Sequence, residues 1–319
     1  MSQFDAYEHL HISLNADGSL TRHLKLPNVA ATDDSAPQGE IAASKDVVLD
    51  ANKKTRLRIF RPAKLPSNDR SVARLPIVIY FHGGMWISFS VANAMVHNNC
   101  AQFAGEIPAI VVSVEYRLAP ESRLPEQYDD AVDAILWVKN QGTDGAAGEK
   151  WLRDYGDFSR CYLYGICSGG NIAFNAALRA LDLRLEPLKI AGLIMNQPMF
   201  SGKQRTESEL KHFADESLPL PALDLTWELA LPPEADRDHR YSNPMADPVY
   251  QEKASRLGRC LVIGFADDIM VDRQQELVQM LVAMGVPVEA RFDDAGFHRI
   301  DLIDSRRAVA ILSFVREFI

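Results

Sequence analysis

Strand-like and helix-like patterns alternate along most of the chain. Continuous apolar runs bounded by turn residues predict strands buried on both faces, and apolar residues at helical spacing predict amphipathic helices between them. The predicted strands cover residues 75–81, 109–114, 161–164, 190–196, 260–264 and 288–292. The predicted helices cover residues 96–103, 125–138, 168–181, 223–231, 274–284 and 305–318. This alternation predicts an α/β fold with a doubly wound, mostly parallel sheet.

Two segments break the alternation. Residues 1–45 are sparse in hydrophobic residues, and residues 200–248 are irregular around one helix-like run. Ligands of open α/β sheets bind outside the carboxyl ends of the strands. We therefore expect a single domain over residues 1–319, in which 1–45 and 200–248 form a helical cap above those ends. Residues 46–62 alternate around a turn and predict a hairpin at the sheet edge.

Composition excludes several classes of partner. The 319 residues carry a net charge of −9 without a basic block, so neither a nucleic acid nor an anionic membrane is expected as a partner. The polar start of the chain has no signal-peptide core, and no apolar run reaches the roughly 18 residues of a membrane span, so a cytoplasmic location is expected.

The cysteines lack CxxC spacing, which argues against a zinc site or a disulfide framework, and we expect no metal and no cofactor. Cys100, Cys161 and Cys260 lie in apolar runs and are predicted to be inert core residues.

A Gly-x-Cys-x-Gly motif separates one predicted strand from the helix that follows it. The motif is Gly165-Ile166-Cys167-Ser168-Gly169. This spacing is typical of a nucleophile elbow, a strained strand-to-helix turn that exposes its central side chain at the helix N-terminus. The central residue is usually serine, whereas here it is Cys167. Ser168 lies one position past the centre, which disfavours it as the nucleophile.

Every candidate for chemistry lies in a loop directly after a predicted strand. These loops are residues 82–85, 165–169, 267–268 and 296–298. Since the carboxyl ends of parallel strands share one edge of the sheet, the four loops should converge there. Acyl transfer needs a nucleophile, a base, an acid that orients the base, and N–H donors for the oxyanion. We assign these roles to Cys167, His298 and Asp268, with the backbone N–H groups of Gly83, Gly84 and Ser168 as the oxyanion donors.

The motifs occur in one order along nearly the whole chain. They are His82-Gly83-Gly84, Tyr116-Arg117-Leu118-Ala119-Pro120-Glu121, Tyr128-Asp129-Asp130-Ala131, Gly165-x-Cys167-x-Gly169-Gly170-Asn171, Asp236-Arg237-Asp238-His239, Asn243-Pro244, Asp268 with Asp272-Arg273-Gln274, and Gly296-Phe297-His298. This set resembles the plant carboxylesterase family of the hormone-sensitive-lipase-like α/β-hydrolases. The resemblance implies the α/β-hydrolase fold, the two cap segments and a small ester of plant specialised metabolism as substrate. It also favours Asp268 over Asp267 and Asp272 as the acid.

The chain departs from this family's pattern beside the expected site. Three consecutive elbow positions, 166–168, differ from the usual Asp/Glu-Ser-Ala. Met85 stands where a third glycine is usual, and Ile269 replaces a proline that often follows the acid. A side chain at Met85 would narrow the pocket beside the oxyanion donors.

Three functions stay open at this stage. The first is hydrolysis of a small-molecule ester through Cys167, although thiolate leaves a tetrahedral intermediate more readily than an alkoxide does. The second is a lyase, cyclase or dehydratase reaction in which His298 acts as general acid/base beside the oxyanion donors. The third is ligand binding of the gibberellin-receptor type, against which the retained His298 counts. The family that the chain resembles includes members of all three kinds.

The loops also predict a substrate pocket. Its expected residues are Met85, Trp86, Trp227 and Phe297. Such an apolar, aromatic lining would suit a small ester or an alkaloid- or terpenoid-like ligand.

Overall fold

Strands and helices alternate in the computed structural model, which describes residues 4–68, 71–72 and 74–319. The strands are β1 (Ile12–Leu14), β2 (Leu20–Arg22), β3 (Ala42–Asp50), β4 (Thr55–Pro62), β5 (Ser67–Asn68), β6 (Ser71–Val72), β7 (Leu75–Phe81), β8 (Ile110–Glu115), β9 (Gly156–Ile166), β10 (Ile190–Asn196), β11 (Cys260–Phe265) and β12 (Val288–Asp293). The helices are α1 (Ala6–His9), α2 (Ala94–Glu106), α3 (Glu126–Gln141), α4 (Lys150–Tyr155), α5 (Ser168–Ala180), α6 (Glu207–Lys211), α7 (Leu220–Ala230), α8 (Pro248–Ala254), α9 (Val271–Ala283) and α10 (Ser305–Phe318).

Eight strands form one sheet in the order β12-β11-β10-β9-β7-β8-β4-β3. The strands from β12 to β8 in this order are all parallel to their neighbours. Strand β4 pairs antiparallel with β8, and β3 pairs antiparallel with β4. The mostly parallel α/β fold is therefore as predicted, and so is the edge hairpin, which begins at Ala42 rather than at residue 46. Since β7, β9, β11 and β12 run parallel, the loops that follow them lie at one edge of the sheet.

The centre of the sheet is buried throughout. Every residue of β7 and β11 is buried, as expected for strands covered on both faces. In α5, which directly follows the elbow, every residue except Arg179 is buried. The C-terminal helix α10 is instead amphipathic and buries Ile311, Val315 and Phe318. The element that carries the elbow is thus among the most deeply buried helices of the fold.

The N-terminal segment holds short elements that its sequence pattern does not predict. Helix α1 precedes the two-stranded hairpin of β1 and β2, and α1 packs against α7. Arg22 fixes the hairpin, because its Nε donates to the carbonyl of Ile87 at 2.6 Å and its Nη1 and Nη2 each reach the carboxylate of Glu121 at 2.8 Å. Residues 42–45, at the end of the expected N-terminal cap segment, pair with β4 as part of the sheet. That 1–45 and 200–248 act as a cap stays a prediction.

Within the residues that the structure describes, no helix is both long enough and apolar enough to cross a membrane.

Candidate active site

The turn between β9 and α5 has the strained geometry of an elbow. Cys167 adopts φ +55° and ψ −123°, a conformation that is costly for a residue with a Cβ. Its backbone N–H donates to the carbonyl of Asn196 at 3.0 Å. Its carbonyl accepts from the N–H groups of Gly170, at 2.9 Å, and Met199, at 3.1 Å. These bonds hold the strained residue in place, so the position of Cys167 is fixed by backbone contacts on both sides.

Glycine is required beside Cys167 because the backbones approach closely. A Cβ on Gly169 would lie 2.1 Å from the carbonyl oxygen of Phe81, which ends β7. A Cβ on Gly165 would lie 1.9 Å from the carbonyl oxygen of Gly169. The first turn of α5 therefore rests directly on β7, which brings Cys167 next to the loop that follows that strand.

The loops after β11 and β12 bring a histidine and a carboxylate together. His298 Nδ1 lies 2.9 Å from Asp268 Oδ2, and Asp268 is fully buried. The carboxylate also accepts from the N–H of Met270 and from Gln274 Nε2, both at 2.9 Å. His298 Nε2 has no hydrogen-bond partner among the described residues. The histidine is thus oriented on one side and free on the other.

The competing carboxylates do not reach His298. The Asp267 side chain is half exposed and lies 3.6 Å from Lys211 Nζ. Asp272 accepts from the N–H of Ser208 at 2.7 Å. Asp268 is therefore the carboxylate that contacts the histidine.

Electrostatics favour charge separation between Cys167 and His298. Burial raises the pKa of Cys167, but the charges of the neighbouring His298 and Arg299 side chains outweigh burial, and the net pKa is lowered. Burial lowers the pKa of His298, but the charges of Asp268 and Cys167 outweigh it, and the net pKa is raised. Both directions favour a thiolate beside an imidazolium. By contrast, burial raises the pKa of Cys100 and of Cys260 to about 12, and it also raises the pKa of Cys161.

The loop after β7 carries two free backbone donors. The N–H groups of Gly83 and Gly84 donate to no acceptor among the described residues. Ser168 is the first residue of α5, where an N–H has no helical acceptor. Tyr116 supports the loop from behind, because its hydroxyl donates to the carbonyl of His82 at 2.8 Å and its ring stacks on the His82 ring at 4.3 Å. The N–H groups of Gly83 and Gly84 are therefore unpaired among the described residues, and the N–H of Ser168 lies at the N-terminus of α5, next to Cys167.

This loop takes an unusual path. Gly84, Met85 and Trp86 have φ values of +106°, +57° and +61°. A Cβ on Gly84 would lie 2.4 Å from the carbonyl oxygen of Ser88. The left-handed backbone at Met85 explains why glycine suits this position, since a side chain there costs about 1–2 kcal/mol.

Cys167 and His298 open into a cavity of about 300 Å³. Its walls are mostly apolar and are formed by His9, Leu10, His11, Leu24, Gly84, Met85, Ser88, Phe89, Cys167, Ser217, Leu218, His298, Arg299 and Leu302. A second cavity, of about 450 Å³, lies between Gln204 and Gln279 and is lined by none of the predicted catalytic residues. The first cavity is therefore the candidate substrate site.

The structure places one of the four predicted pocket residues in the cavity wall and the other three elsewhere. Met85 lines the cavity. Trp86 and Trp227 are fully buried and contact each other, with ring centroids 4.6 Å apart, so they belong to the core. Phe297 is half buried and is not part of the cavity wall. The composition of a segment does not tell which way each side chain points, so it does not separate residues that face the cavity from neighbours that face the core.

Several residues of the cavity wall carry no sequence signal of their role. His9, Leu10, His11 and Leu24 come from the N-terminal segment, and Arg299 directly follows His298. The N-terminal residues lie outside any periodic run or motif. The sequence offers a signal only for Arg299, because it directly follows the motif residue His298.

Comparisons with known sequences show the family of the chain. A family model described as the α/β-hydrolase fold matches residues 78–302. The chain is 57% identical to probable carboxylesterase 9 of Arabidopsis thaliana, over 99% of this chain and 97% of the relative. It is 44% identical to 3-O-acetylpapaveroxine carboxylesterase CXE2 of Papaver somniferum, over 99% of both chains. A rice gibberellin receptor is more distant, at 32% identity over 83% of this chain and 77% of the receptor.

Solved structures support the same fold. An esterase from Pyrobaculum calidifontis superposes with a TM-score of 0.70 at 24% identity, covering 86% of this chain and 84% of the esterase. The family match, the full-length relatives and the shared fold lead to one assignment. The chain belongs to the plant carboxylesterase family of α/β-hydrolases and is a carboxylic ester hydrolase.

Proposed function

We propose that this protein hydrolyses a small ester of plant specialised metabolism through Cys167, His298 and Asp268. The observation that carries the proposal is the His298–Asp268 pair, 2.9 Å apart, with the free Nε2 in the same cavity as Cys167. Gly83, Gly84 and Ser168 supply the N–H donors for the oxyanion in this scheme. The retained His298 favours catalysis over ligand binding alone.

The first half of the reaction forms an acyl-enzyme. The Cys167 thiolate attacks the ester carbonyl, and the electron pair of the C=O bond moves to the oxygen, which the three N–H groups stabilise. When the C–O bond to the alcohol breaks, the His298 imidazolium donates its Nε2 proton to the departing alkoxide. A thioester on Cys167 and a neutral His298 remain.

The second half returns the enzyme to its starting state. Neutral His298 takes a proton from water, and the resulting hydroxide attacks the thioester carbonyl. The tetrahedral intermediate expels the Cys167 thiolate, while His298 keeps the proton as imidazolium. Asp268 holds the ring in the required orientation through Nδ1 in both halves.

Sulfur chemistry narrows the class of ester. In the first tetrahedral intermediate, thiolate competes with the alkoxide as the leaving group. A thiol has a pKa of about 8.5 and a phenol about 10, whereas ordinary alcohols are far weaker acids. Esters of phenols or enols should therefore acylate Cys167 efficiently, and simple alkyl esters slowly.

The size and lining of the cavity narrow the class of ester further. A volume of about 300 Å³ is at the small end of ligand pockets, and its lining is mostly apolar. One relative is named for a 3-O-acetylated alkaloid, which supports a short acyl group on a larger alkaloid-like or terpenoid-like phenol or enol. We infer that the acyl group enters the cavity beside Met85.

Acyl transfer to Cys167 can be tested with 4-nitrophenyl acetate. We expect a mass increase of one acetyl group on intact wild-type protein, mapped to the peptide that contains Cys167. His298→Ala and Cys167→Ala should each lower turnover by at least about 10²-fold. Cys167→Ala should also form no acetyl adduct.

The variants separate the competing mechanisms. Cys167→Ala that keeps full turnover of 4-nitrophenyl acetate would exclude covalent catalysis through Cys167 and leave hydrolysis by water that His298 activates. Unchanged turnover in His298→Ala would contradict both. Cys100→Ala serves as the control, because Cys100 is a buried cysteine outside the site.

A further inference from the structure

Arg299 places a buried guanidinium in the wall of the catalytic cavity. It directly follows His298, and its left-handed backbone, with φ +64°, is held by a 2.7 Å hydrogen bond from its N–H to Gln197 Oε1. The side chain pairs with Asp301, with Nε to Oδ1 and Nη2 to Oδ2 both at 3.2 Å. The Arg299 side chain is only 13% exposed.

The remaining nitrogen of the guanidinium, Nη1, lies close to Gly83, as does Cys167 of the elbow. Arg299 Nη1 is 3.7 Å from the point that a Cβ on Gly83 would occupy, and Cys167 Cβ is 3.2 Å from that same point. Among the described residues, Nη1 has no hydrogen-bond acceptor. Asp301 therefore holds one side of the guanidinium, and the other side is directed toward the elbow.

We propose that Arg299 is a positioning residue that keeps Cys167 in its thiolate form before substrate binds, an inference that rests on the proposed role of Cys167. A second fixed cation stabilises the thiolate independently of His298. The second cation becomes important once acylation begins, because His298 then transfers its proton to the leaving alkoxide and becomes neutral. The guanidinium keeps its charge throughout, so it also stabilises the thiolate that is expelled in the second half of the reaction.

The electrostatics of both partners agree with this role. Burial raises the pKa of Cys167, and the charge of Arg299 is among the causes that bring it down. Burial lowers the pKa of Arg299, but Asp301, Tyr80 and Cys167 outweigh it, and the net pKa is raised.

Other titratable groups lie near the thiol and must be separated from Arg299 in any test. They are His298 on the same loop, with Asp268 behind it, His82 and Tyr116 behind the loop after β7, and His9 and His11 in the cavity wall. Of these groups, His298 is the one whose charge interacts with both Asp268 and Cys167. The variants below leave all of them in place.

The rate of Cys167 alkylation by iodoacetamide as a function of pH tests the proposal without an ester. Peptide mapping follows Cys167 separately from the other cysteines. We expect Arg299→Gln to raise the midpoint of the profile by about one pH unit. Arg299→Lys should restore most of the shift, because it keeps the charge. Arg306→Gln, which removes an arginine whose side chain is 89% exposed, should leave the midpoint unchanged.

A second variant tests the sign of the effect. Asp301→Asn removes the counter-charge and leaves Arg299 in place, so we expect the midpoint to fall. It also keeps the proposal testable if Arg299→Gln fails to fold. An unchanged midpoint in folded Arg299→Gln, or an unchanged or raised midpoint in Asp301→Asn, would overturn the proposal. If instead the midpoints shift as expected but no acyl adduct forms on Cys167, the covalent mechanism fails while the thiolate role of Arg299 stands.

Discussion

At the scale of single residues, the site depends on one carboxylate among several nearby. Asp268 is fully buried and its oxygens accept three hydrogen bonds, from His298, Met270 and Gln274. Asp267, its neighbour in sequence, points outward. The contrast makes these two residues a matched pair for mutation.

We predict that Asp268→Asn lowers kcat/KM on a phenyl ester by at least on the order of 10²-fold, because the neutral amide no longer stabilises the imidazolium. Asp267→Asn should retain activity within about twofold. Steady-state kinetics on both variants check the prediction, with circular dichroism to show that the fold is kept. Equal losses in the two variants would contradict the assignment of Asp268.

Met85 combines backbone strain with a position in the cavity wall. Its φ of +57° costs a residue with a Cβ about 1–2 kcal/mol. Met85→Gly and Met85→Ala both remove the side chain, but only glycine relieves the strain. We predict that the glycine variant is more stable than the alanine variant by about 1 kcal/mol in urea unfolding.

The same pair tests the role of Met85 in selectivity. Both variants should raise the kcat/KM ratio of 4-nitrophenyl hexanoate to acetate, because both enlarge the cavity. An alanine variant as stable as the glycine variant would argue against strain, and an unchanged ratio would argue against contact with the acyl group.

Where a motif ties a residue to a strand end, the sequence indicates its position: His298 lies against Asp268, and His298 and Cys167 line the same cavity. The sequence fails where the direction of a side chain decides the role. Trp86 lies beside Met85 in the same loop, yet it packs on Trp227 in the core while Met85 lines the cavity. Loop composition does not contain that information.

At the scale of elements, the elbow needs α5 to rest on β7. A methyl group on Gly169 would lie 2.1 Å from one backbone oxygen of that strand, so the helix would have to move. We predict that Gly169→Ala lowers the free energy of unfolding by on the order of 3 kcal/mol or more, or prevents folding. Gly258→Ala is the control, since a Cβ there meets nothing within 4 Å. Thermal unfolding of both variants checks this, and similar melting temperatures would contradict it.

Element length explains which parts of the fold the sequence predicts. The runs for β7, β10 and α10 have the observed boundaries, because β7 and β10 are long apolar runs and α10 has apolar residues at helical spacing. Strands β1 and β2 have three residues each, too few to show alternation. Their position is set by tertiary contacts, above all by Arg22 with Glu121, which are 99 residues apart.

At the scale of the whole molecule, one buried cation joins three regions. Arg58 on β4 binds both carboxylate oxygens of Asp46, at 2.7 and 2.8 Å, on β3. Its Nη1 donates to the carbonyl of Val29 at 2.7 Å and contacts His97 Nδ1, on α2, at 3.1 Å. The N-terminal segment, the edge hairpin and α2 thus share one guanidinium. His97 must stay neutral to accept from it.

This arrangement predicts how stability changes with pH. Burial, followed by the charge of Arg58, lowers the pKa of His97 to about 4, whereas the unfolded value is about 6.5. Between these values the unfolded chain binds more protons than the folded one, so stability falls as pH drops from about 6.5 to 4. His97→Gln removes this titration and should flatten the decline by on the order of 2 kcal/mol, measured by urea unfolding across that range. His23→Gln, which changes an exposed histidine of the N-terminal hairpin, should decline like the wild type. If His97→Gln declines as steeply as the wild type, the acid sensitivity arises elsewhere and the neutral state of His97 does not limit stability.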